Sequence, residues 1–295
     1  MRRWAHRVLL PVTLLALGAG ACRPTAERAA GGLSVVDDAG RAVHLAAPAR
    51  RIVSLAPSIT ELLFAIGAGD RVVGRTQYCL YPRAATLVPS VGDGLNPSVE
   101  AIAARRPDLV VLYRSALTET AARQLERIGI PALILRHDRL EDVGRTARLL
   151  GRFTDHRAGG DSVGRLLDSV LAAPLPPVTT RVAFIVWDSP PIVIGAGSYL
   201  DQLARLAGAT NVFHDIGTAS ATVSLETIAA RNPDRIILVA DSGTALPPYA
   251  TRAEWQVVRA VRARRFVVLP GELYGRPSPR TAEAVQDLRR RLLAP

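Results

Sequence analysis

The sequence SVEAIAARRPDLVVL at residues 98–112 recurs as SLETIAARNPDRIIL at residues 224–238, with nine of the 15 positions identical. Each copy begins with a serine, which is suited to cap a helix, and carries a glutamate in the first turn, where the helix dipole favours an anion. Each copy then runs through Pro-Asp, which ends a helix, into an apolar run typical of a buried strand. The repeat predicts two similar halves in which Glu100 and Glu226 occupy equivalent positions.

The rest of the chain continues this alternation of strands and helices. A hairpin is predicted at 33–45, because two β-prone runs flank the turn sequence Asp-Asp-Ala-Gly. The predicted strands are 51–55, 109–113, 132–135, 181–186, 235–239 and 266–269, and the predicted helices are 58–66, 98–106, 118–128, 199–207, 224–231, 253–261 and 281–293. Such alternation favours an α/β fold of two Rossmann-like lobes with mainly parallel sheets.

Residues 140–171 connect the two halves and have apolar residues at helical spacing. The pair Gly159-Gly160 weakens the pattern, and Pro174-Leu-Pro-Pro177 ends it. We therefore expect an N-terminal lobe at 33–138, one long bridging helix at 139–173 and a C-terminal lobe at 178–295.

The first 22 residues have the pattern of an export signal, with a cationic start, a short apolar run and small residues at the end. Ala19-Gly-Ala-Cys22 resembles the lipobox of bacterial lipoproteins, which predicts lipidation at Cys22; simple cleavage near Ala21 is the alternative. Residues 23–32 have no apolar periodicity and are expected to form a flexible tether. Cys79 is the only other cysteine, and we expect no disulfide.

Composition and motifs argue against several function classes. All 37 basic residues of the 295 are arginines interspersed with acids, so the formal net charge of +11 does not form the basic stripe that nucleic-acid binding needs. Gly195-Ala-Gly-Ser198 lacks the nucleophile-elbow pattern of an exported hydrolase, and no catalytic residue is predicted. A direct metal-ion receptor is a further alternative, for which His214-Asp215 is the local pair of ligands that merits a test, and no metal site is assigned.

Several motifs together resemble the periplasmic binding proteins of the cobalamin and siderophore uptake group. They are DDAGRAV at 37–43, RIVSLAPSITELLFAIG at 51–67, RVVG at 71–74, YCLYP at 78–82 and SPR at 278–280. The resemblance implies two α/β lobes joined by one helix, with the ligand in the cleft. It also implies a monomeric, non-catalytic, lipid-anchored periplasmic protein without a cofactor, which delivers its ligand to the permease dimer and ATPase subunits of an ABC importer.

The resemblance is greatest to the cobalamin-binding members, and it implies which residues act. The residues matching ligand contacts are Tyr78, Trp187, Leu273, Tyr274, Gly275, Arg276 and Pro277, and those matching transporter-docking carboxylates are Glu100 and Glu226. Gly94 and Ser220 stand where the cobalamin-binding members have tryptophans, so haem or a ferric siderophore is the alternative ligand. Glu61, just after a predicted helix start, is expected to be a solvated first-turn residue.

Overall fold

The computed structural model describes residues 32–240 and 246–294. The predicted signal peptide (1–22), Cys22 and all but the last residue of the predicted tether (23–32) lie outside the described residues. Within those two ranges, every helix is too short or too polar to cross a bilayer.

The chain alternates short strands and helices. The strands are β1 (Leu33–Val36), β2 (Ala42–Leu45), β3 (Ile52–Ser54), β4 (Val72–Arg75), β5 (Leu109–Tyr113), β6 (Ala132–Leu135), β7 (Arg181–Asp188), β8 (Pro191–Ile194), β9 (Thr210–Asn211), β10 (Ser220–Thr222), β11 (Arg235–Ala240) and β12 (Phe266–Pro270). The helices are α1 (Pro57–Ala65), α2 (Val99–Ala103), α3 (Ala116–Arg127), α4 (Leu140–Phe153), α5 (Arg157–Ala172), α6 (Tyr199–Leu206), α7 (Leu225–Arg231), α8 (Arg259–Arg262), α9 (Gly271–Tyr274) and α10 (Thr281–Leu293).

The first lobe contains a sheet of four parallel strands in the order β4-β3-β5-β6, beside the antiparallel hairpin β1-β2. The strands β3, β5 and β6 are almost wholly apolar and buried, as expected for parallel strands covered on both faces. All four strands end at the same edge of the sheet. This edge therefore gathers the loops that follow Ser54, Arg75, Tyr113 and Leu135.

The second lobe contains a mixed sheet in the order β10-β8-β7-β11-β12, with β9 also pairing with β7. The strands β7, β9, β11 and β12 are mutually parallel, whereas β8 and β10 are antiparallel to their neighbours. The expectation of an α/β fold with two mainly parallel sheets is confirmed.

The helix predicted at 253–261 is wrong, because this segment forms a 3₁₀ turn at Ala253–Val257 and the four-residue helix α8.

The single bridging helix predicted at 139–173 is also wrong, because the structure has two helices, α4 and α5, that run antiparallel. The chain reverses at residues 154–156, where Asp155 adopts a left-handed conformation with φ 60°. The glycine pair allows close packing on two sides: Gly160 faces α4, and Gly159 faces the end of α1. A Cβ on Gly160 would lie 2.6 Å from the Ala147 carbonyl oxygen of the opposite helix.

The helix pair contacts both lobes. Val143 and Leu150 of α4 and Leu167 of α5 pack into the core of the first lobe, while Leu140, at the start of α4, packs into the core of the second. Leu171, near the end of α5, packs against the second core as well. The connection between the lobes therefore consists of packed helices, which restrain the lobes more than an extended linker would.

Replacing Gly159 by alanine is expected to destabilise this connection. A Cβ there would overlap the Ile66 carbonyl oxygen at the end of α1, and a backbone atom cannot rotate away. Overpacking of this kind costs about 1–3 kcal/mol, which exceeds the gain of about 1 kcal/mol in helix propensity. Denaturant unfolding would measure the loss. Gly217→Ala is the matched control, because nothing lies within 4 Å of its added Cβ; equal midpoints for the two variants would contradict the prediction.

Candidate functional site

A cavity of about 760 Å³ lies between the two lobes. Its first-lobe wall is built from the segments that follow β3, β4, β5 and β6, and its second-lobe wall from the start of α6 and the segment 275–277. The carboxyl ends of parallel strands are where α/β folds place their ligands. The volume lies within the range of about 300–1,000 Å³ that is common for small-molecule sites.

Tyr113, the last residue of β5, contributes a fixed hydroxyl group to this wall. It donates a hydrogen bond to the Asp138 carboxylate, with 2.5 Å between Oη and Oδ1. Burial, and then the hydrogen bond to Asp138, raise the pKa of Tyr113 to about 12. The phenol therefore stays protonated at neutral pH.

His137 follows β6 by two residues and lines the cavity with its side chain 3% exposed. Neither ring nitrogen has a hydrogen-bond partner among the described residues. The carbonyl of Pro277, across the cleft, is close enough to raise the pKa of the ring slightly, but its geometry falls short of a hydrogen bond. Burial dominates and lowers the pKa to about 4, so the ring is neutral at pH 7.

Tyr199, at the start of α6, lies on the opposite wall. Its hydroxyl group donates to the Tyr274 carbonyl oxygen at 2.6 Å, and burial raises the pKa of Tyr199. His137, Tyr113 and Tyr199 are cavity residues that no sequence motif predicted. Their positions at a strand's carboxyl end or a helix start are the signal that would have pointed to them.

Glu61 joins the lobes at the edge of the cavity. Its carboxylate, 2% exposed, accepts a hydrogen bond from Arg280 Nε at 2.7 Å and another from Arg276 at 3.4 Å. The Arg280 guanidinium also lies over the Tyr81 ring, 3.7 Å from its centroid. The expectation that Glu61 is solvated is wrong, because the second lobe covers the face of α1 on which it lies.

Four residues predicted to contact ligand lie at the cavity: Tyr78 from the first lobe and Gly275, Arg276 and Pro277 from the second. Tyr78 is 56% exposed, so most of its ring is free to contact a ligand. Part of the Arg276 guanidinium pairs with Glu61, while its Nε has no partner among the described residues.

Leu273 and Tyr274 lie in the core of the second lobe, so the expectation that they contact ligand is wrong for their side chains. Tyr274 is fully buried, and its hydroxyl group donates to the Ala284 carbonyl oxygen at 2.8 Å. The short helix α9 turns both side chains inward before the chain reaches the cleft at residue 275.

Trp187 is outside this cavity: it is 59% exposed, and its Nε1 donates to the Ser189 carbonyl oxygen at 2.8 Å.

Gly94 and Ser220, which stand where the cobalamin-binding members have tryptophans, have different surroundings in this structure. Gly94 lines the cavity, and a Cβ there would overlap the Leu55 carbonyl oxygen, so this backbone does not accept a side chain at position 94. Ser220 is an exposed residue of β10, and its neighbour Ala219 reaches the cavity wall. The described cavity is therefore lined by tyrosines and small residues rather than by indole rings.

Glu100 and Glu226 are exposed, each in the first turn of its helix, α2 or α7. The preceding serine of each helix, Ser98 or Ser224, accepts a hydrogen bond from a first-turn amide at 3.2 Å. Each helix runs back along the strand that follows it, so its first turn lies towards the carboxyl edge of the sheet, where the cavity lies. Neither glutamate forms an ion pair within the described ranges.

The residues weighed as metal ligands have other partners. His214 hydrogen-bonds Asp201 at 2.9 Å, whereas Asp215 pairs with Arg231. The described part of the chain contains no group of three or more His, Cys, Asp and Glu side chains placed to hold a metal ion. Cys79 is a buried free thiol that contacts the hydroxyl groups of Thr60 and Thr76.

Comparison with known proteins supports this geometry. The family model described as "Periplasmic binding protein" matches residues 52–273. The vitamin B12-binding protein of Vibrio parahaemolyticus is 25% identical over 246 residues, which cover 82% of this chain and 88% of that protein. An uncharacterized ABC transporter substrate-binding lipoprotein of Bacillus subtilis is 28% identical over 265 residues, covering 86% and 83% of the two chains.

Among solved structures, the periplasmic haem-binding protein of Roseiflexus sp. RS-1 in its apo form superposes with a TM-score of 0.70 at 26% identity. The superposition covers 82% of this chain and 97% of that one. The likeness therefore extends over both lobes of each protein.

Proposed function

The chain belongs to the periplasmic binding protein family, and from that premise we propose that it captures cobalamin or a related corrinoid for an ABC importer. The observation that carries the proposal is the cavity of about 760 Å³ between the lobes, lined by residues of both. A ligand held there contacts both lobes at once, which favours a closed arrangement. The B12-binding relative from Vibrio parahaemolyticus supports the choice of ligand.

The walls of the cavity suit a large, flat ligand with polar edges. Tyr78 offers an exposed ring for stacking, while Tyr113 and Tyr199 offer hydroxyl groups that are already held in place by hydrogen bonds. Backbone groups of Gly275 and Pro277 and the partly exposed guanidinium group of Arg276 add polar contacts. Apolar walls with a few fixed polar groups are typical of such sites. Trp187 is proposed to contact the part of a corrinoid that extends beyond this cavity.

We expect cyanocobalamin to bind the purified full-length chain in a saturable one-to-one manner with a Kd of about 1 μM or tighter. Tyr78→Ala is expected to weaken binding, because a stacked aromatic contributes about 0.5–1.5 kcal/mol beyond its buried area, a factor of about 2–12 in Kd. Titration calorimetry measures both values. Leu87→Ala is the control, since Leu87 is 85% exposed in the same lobe and away from the cavity. Absence of cyanocobalamin binding by the unmodified chain would contradict the proposal.

Haem is the second candidate, favoured by the 26% identity to the haem-binding protein of Roseiflexus sp. RS-1. The tyrosine-lined cavity also accepts a flat porphyrin. Competition between haemin and cyanocobalamin for the same chain separates the two proposals. Haemin binding without cyanocobalamin binding would select haem.

The proposed partner is the permease dimer of the importer with its ATPase subunits. Glu100 and Glu226 are proposed to dock on cations of the two permease subunits, one glutamate from each lobe. Lipidation at Cys22 is proposed to anchor the chain to a membrane, so that encounter with the permease occurs close to the bilayer surface. More than one acyl chain is needed for firm attachment.

A further inference from the structure

The charged side chains that line the inter-lobe cavity are mainly acidic, although the chain as a whole has a formal net charge of +11. Among the described residues, the lining contains two aspartates, Asp93 and Asp138, and one arginine, Arg276. Arg276 pairs with the buried Glu61 carboxylate, so part of its charge is balanced within the protein. A ligand in the cavity therefore meets an excess of negative charge on the first-lobe wall.

Asp138, just after β6, keeps one carboxylate oxygen available to a ligand. It is exposed, its Oδ1 accepts a hydrogen bond from Tyr113 at 2.5 Å, and its Oδ2 has no partner in the described part of the chain. After burial, this hydrogen bond and the negative charge of Asp138 help to raise the pKa of Tyr113 to about 12. The neighbouring Arg139 is engaged elsewhere: its guanidinium pairs with Glu141 and donates to the Ala196 carbonyl oxygen.

Asp93 offers a similar group towards the other end of the same wall. Its Oδ1 accepts a hydrogen bond from the Leu95 amide at 2.7 Å, and its Oδ2 has no partner among the described residues. The segment that carries Asp93 lies beside β4, since Ser90 pairs with Arg75 there. The strands β4 and β6 are the outer strands of the sheet, about 14 Å apart at the usual strand spacing. The two carboxylates therefore face different parts of a ligand that fills the cavity.

The ligand chemistry that suits these two carboxylates is a hydrogen-bond donor without negative charge. A carboxamide N–H donates to a carboxylate in a charge-assisted hydrogen bond, which is stronger than a bond between neutral groups. An ionised carboxylate on the ligand has no proton to donate and places a like charge beside the aspartate, which is unfavourable. Corrinoids carry carboxamides around the ring, whereas haem carries two carboxylates.

We infer that Asp93 and Asp138 select macrocycles with peripheral carboxamides against macrocycles with peripheral carboxylates. The inference rests on the proposed function, and it deepens it by naming the part of the ligand that is recognised. The selection has an attractive and a repulsive element, as specific sites commonly do. The net charge of the chain attracts anions, so weaker binding of a carboxylate-bearing ring cannot arise from that charge.

The experiment compares dicyanocobinamide with dicyanocobyrinic acid on the full-length chain, by titration calorimetry in one cyanide-containing buffer at neutral pH. The two compounds share the corrin ring, the cobalt and both axial ligands, and they differ in whether the ring side chains end in amides or in carboxylates. The Kd for the amide compound is expected to be at least about 100-fold lower, equivalent to about 2.8 kcal/mol. Equal affinities would overturn the inference.

Asp93→Asn combined with Asp138→Asn is expected to reduce this preference to about tenfold or less. Folding is expected to be retained, because an asparagine Oδ1 accepts the same hydrogen bonds as the aspartate Oδ1. Asp70→Asn with Asp161→Asn is the matched control, because it changes the net charge equally at two exposed aspartates outside the cavity. The control is expected to keep the full preference. A full preference in the first double variant, or its loss in the control, would overturn the inference.

The two proposals fail in different ways. If cyanocobalamin binds but dicyanocobyrinic acid binds as tightly as dicyanocobinamide, the corrinoid proposal stands and the role of the two aspartates is wrong. If neither cyanocobalamin nor dicyanocobinamide binds, the proposed function is wrong and this inference falls with it.

Discussion

The Glu61→Gln variant is expected to lose about 3 kcal/mol of unfolding free energy, the low end of the cost of breaking a buried ion pair. The carboxylate of Glu61 is almost fully buried, and Arg276 and Arg280 approach it from the other lobe with side chains that are only 22% and 15% exposed. An amide leaves both guanidinium groups beside each other without the anion that holds them. We expect the low end of the cost of breaking a buried ion pair, because the two arginine side chains keep some contact with water.

Thermal unfolding is the measurement, and a fall of about 6–12 °C in Tm is expected for a chain of this size. Glu119→Gln is the matched control: Glu119 faces Arg114 at 3.8 Å in an exposed pair, and such pairs contribute about 0–1 kcal/mol. Adding Arg280→Gln to Glu61→Gln is expected to restore part of the loss, because it removes one of the unpaired cations. A Tm change as small as that of the Glu119 control would contradict the assignment of Glu61 as the ionic link between the lobes.

Reversing both carboxylates that are proposed to dock on the permease, with Glu100→Arg and Glu226→Arg together, is expected to stop uptake of the ligand while leaving its affinity unchanged. Both side chains are exposed and lie in equivalent first turns, one in each lobe. The nearby Ser224 hydroxyl group lowers the pKa of Glu226, so this carboxylate is ionised at neutral pH. Each exposed ion pair between a glutamate and a permease cation would contribute little to the free energy of docking. An arginine placed opposite the same cation would put two like charges side by side, which costs several kcal/mol.

Uptake by cells that depend on this chain measures the effect, together with ligand titration of the purified variant. The control is Glu254→Arg with Glu283→Arg, which changes the net charge by the same amount at two exposed glutamates outside ion pairs in the described residues. This control is expected to transport normally. Uptake that survives the first double reversal would contradict the docking proposal.

Much of the fold follows from patterns that are local in the chain. The repeated helix-strand unit around Glu100 and Glu226 predicts two similar lobes, and the two serine caps are found where it implies them. Buried parallel strands are short apolar runs whatever their neighbours are, so β3, β5, β6, β7, β11 and β12 are recognisable without knowledge of the sheet. Periodicity did not reveal the break between α4 and α5, because both helices carry apolar residues at the same spacing.

The site was predictable only in part. Tyr78 and the segment 275–277 follow from motif resemblance, whereas Leu273 and Tyr274 belong to the same motif and yet point into the core. Neighbouring residues of a short helix such as α9 face different directions, so a motif match does not say which of them meet the ligand.

The sequence by itself determined the two α/β lobes, their repeated unit and the exposed glutamates, because these depend on residue spacing along the chain. Only the tertiary structure decided that Glu61 is an ionic link and that His137 is a buried, unpartnered ring. Both properties arise where the second lobe covers residues of the first: Pro277 lies 140 positions after His137, and Arg280 lies 219 positions after Glu61. Burial and pairing depend on that coverage, and no pattern within one lobe encodes it.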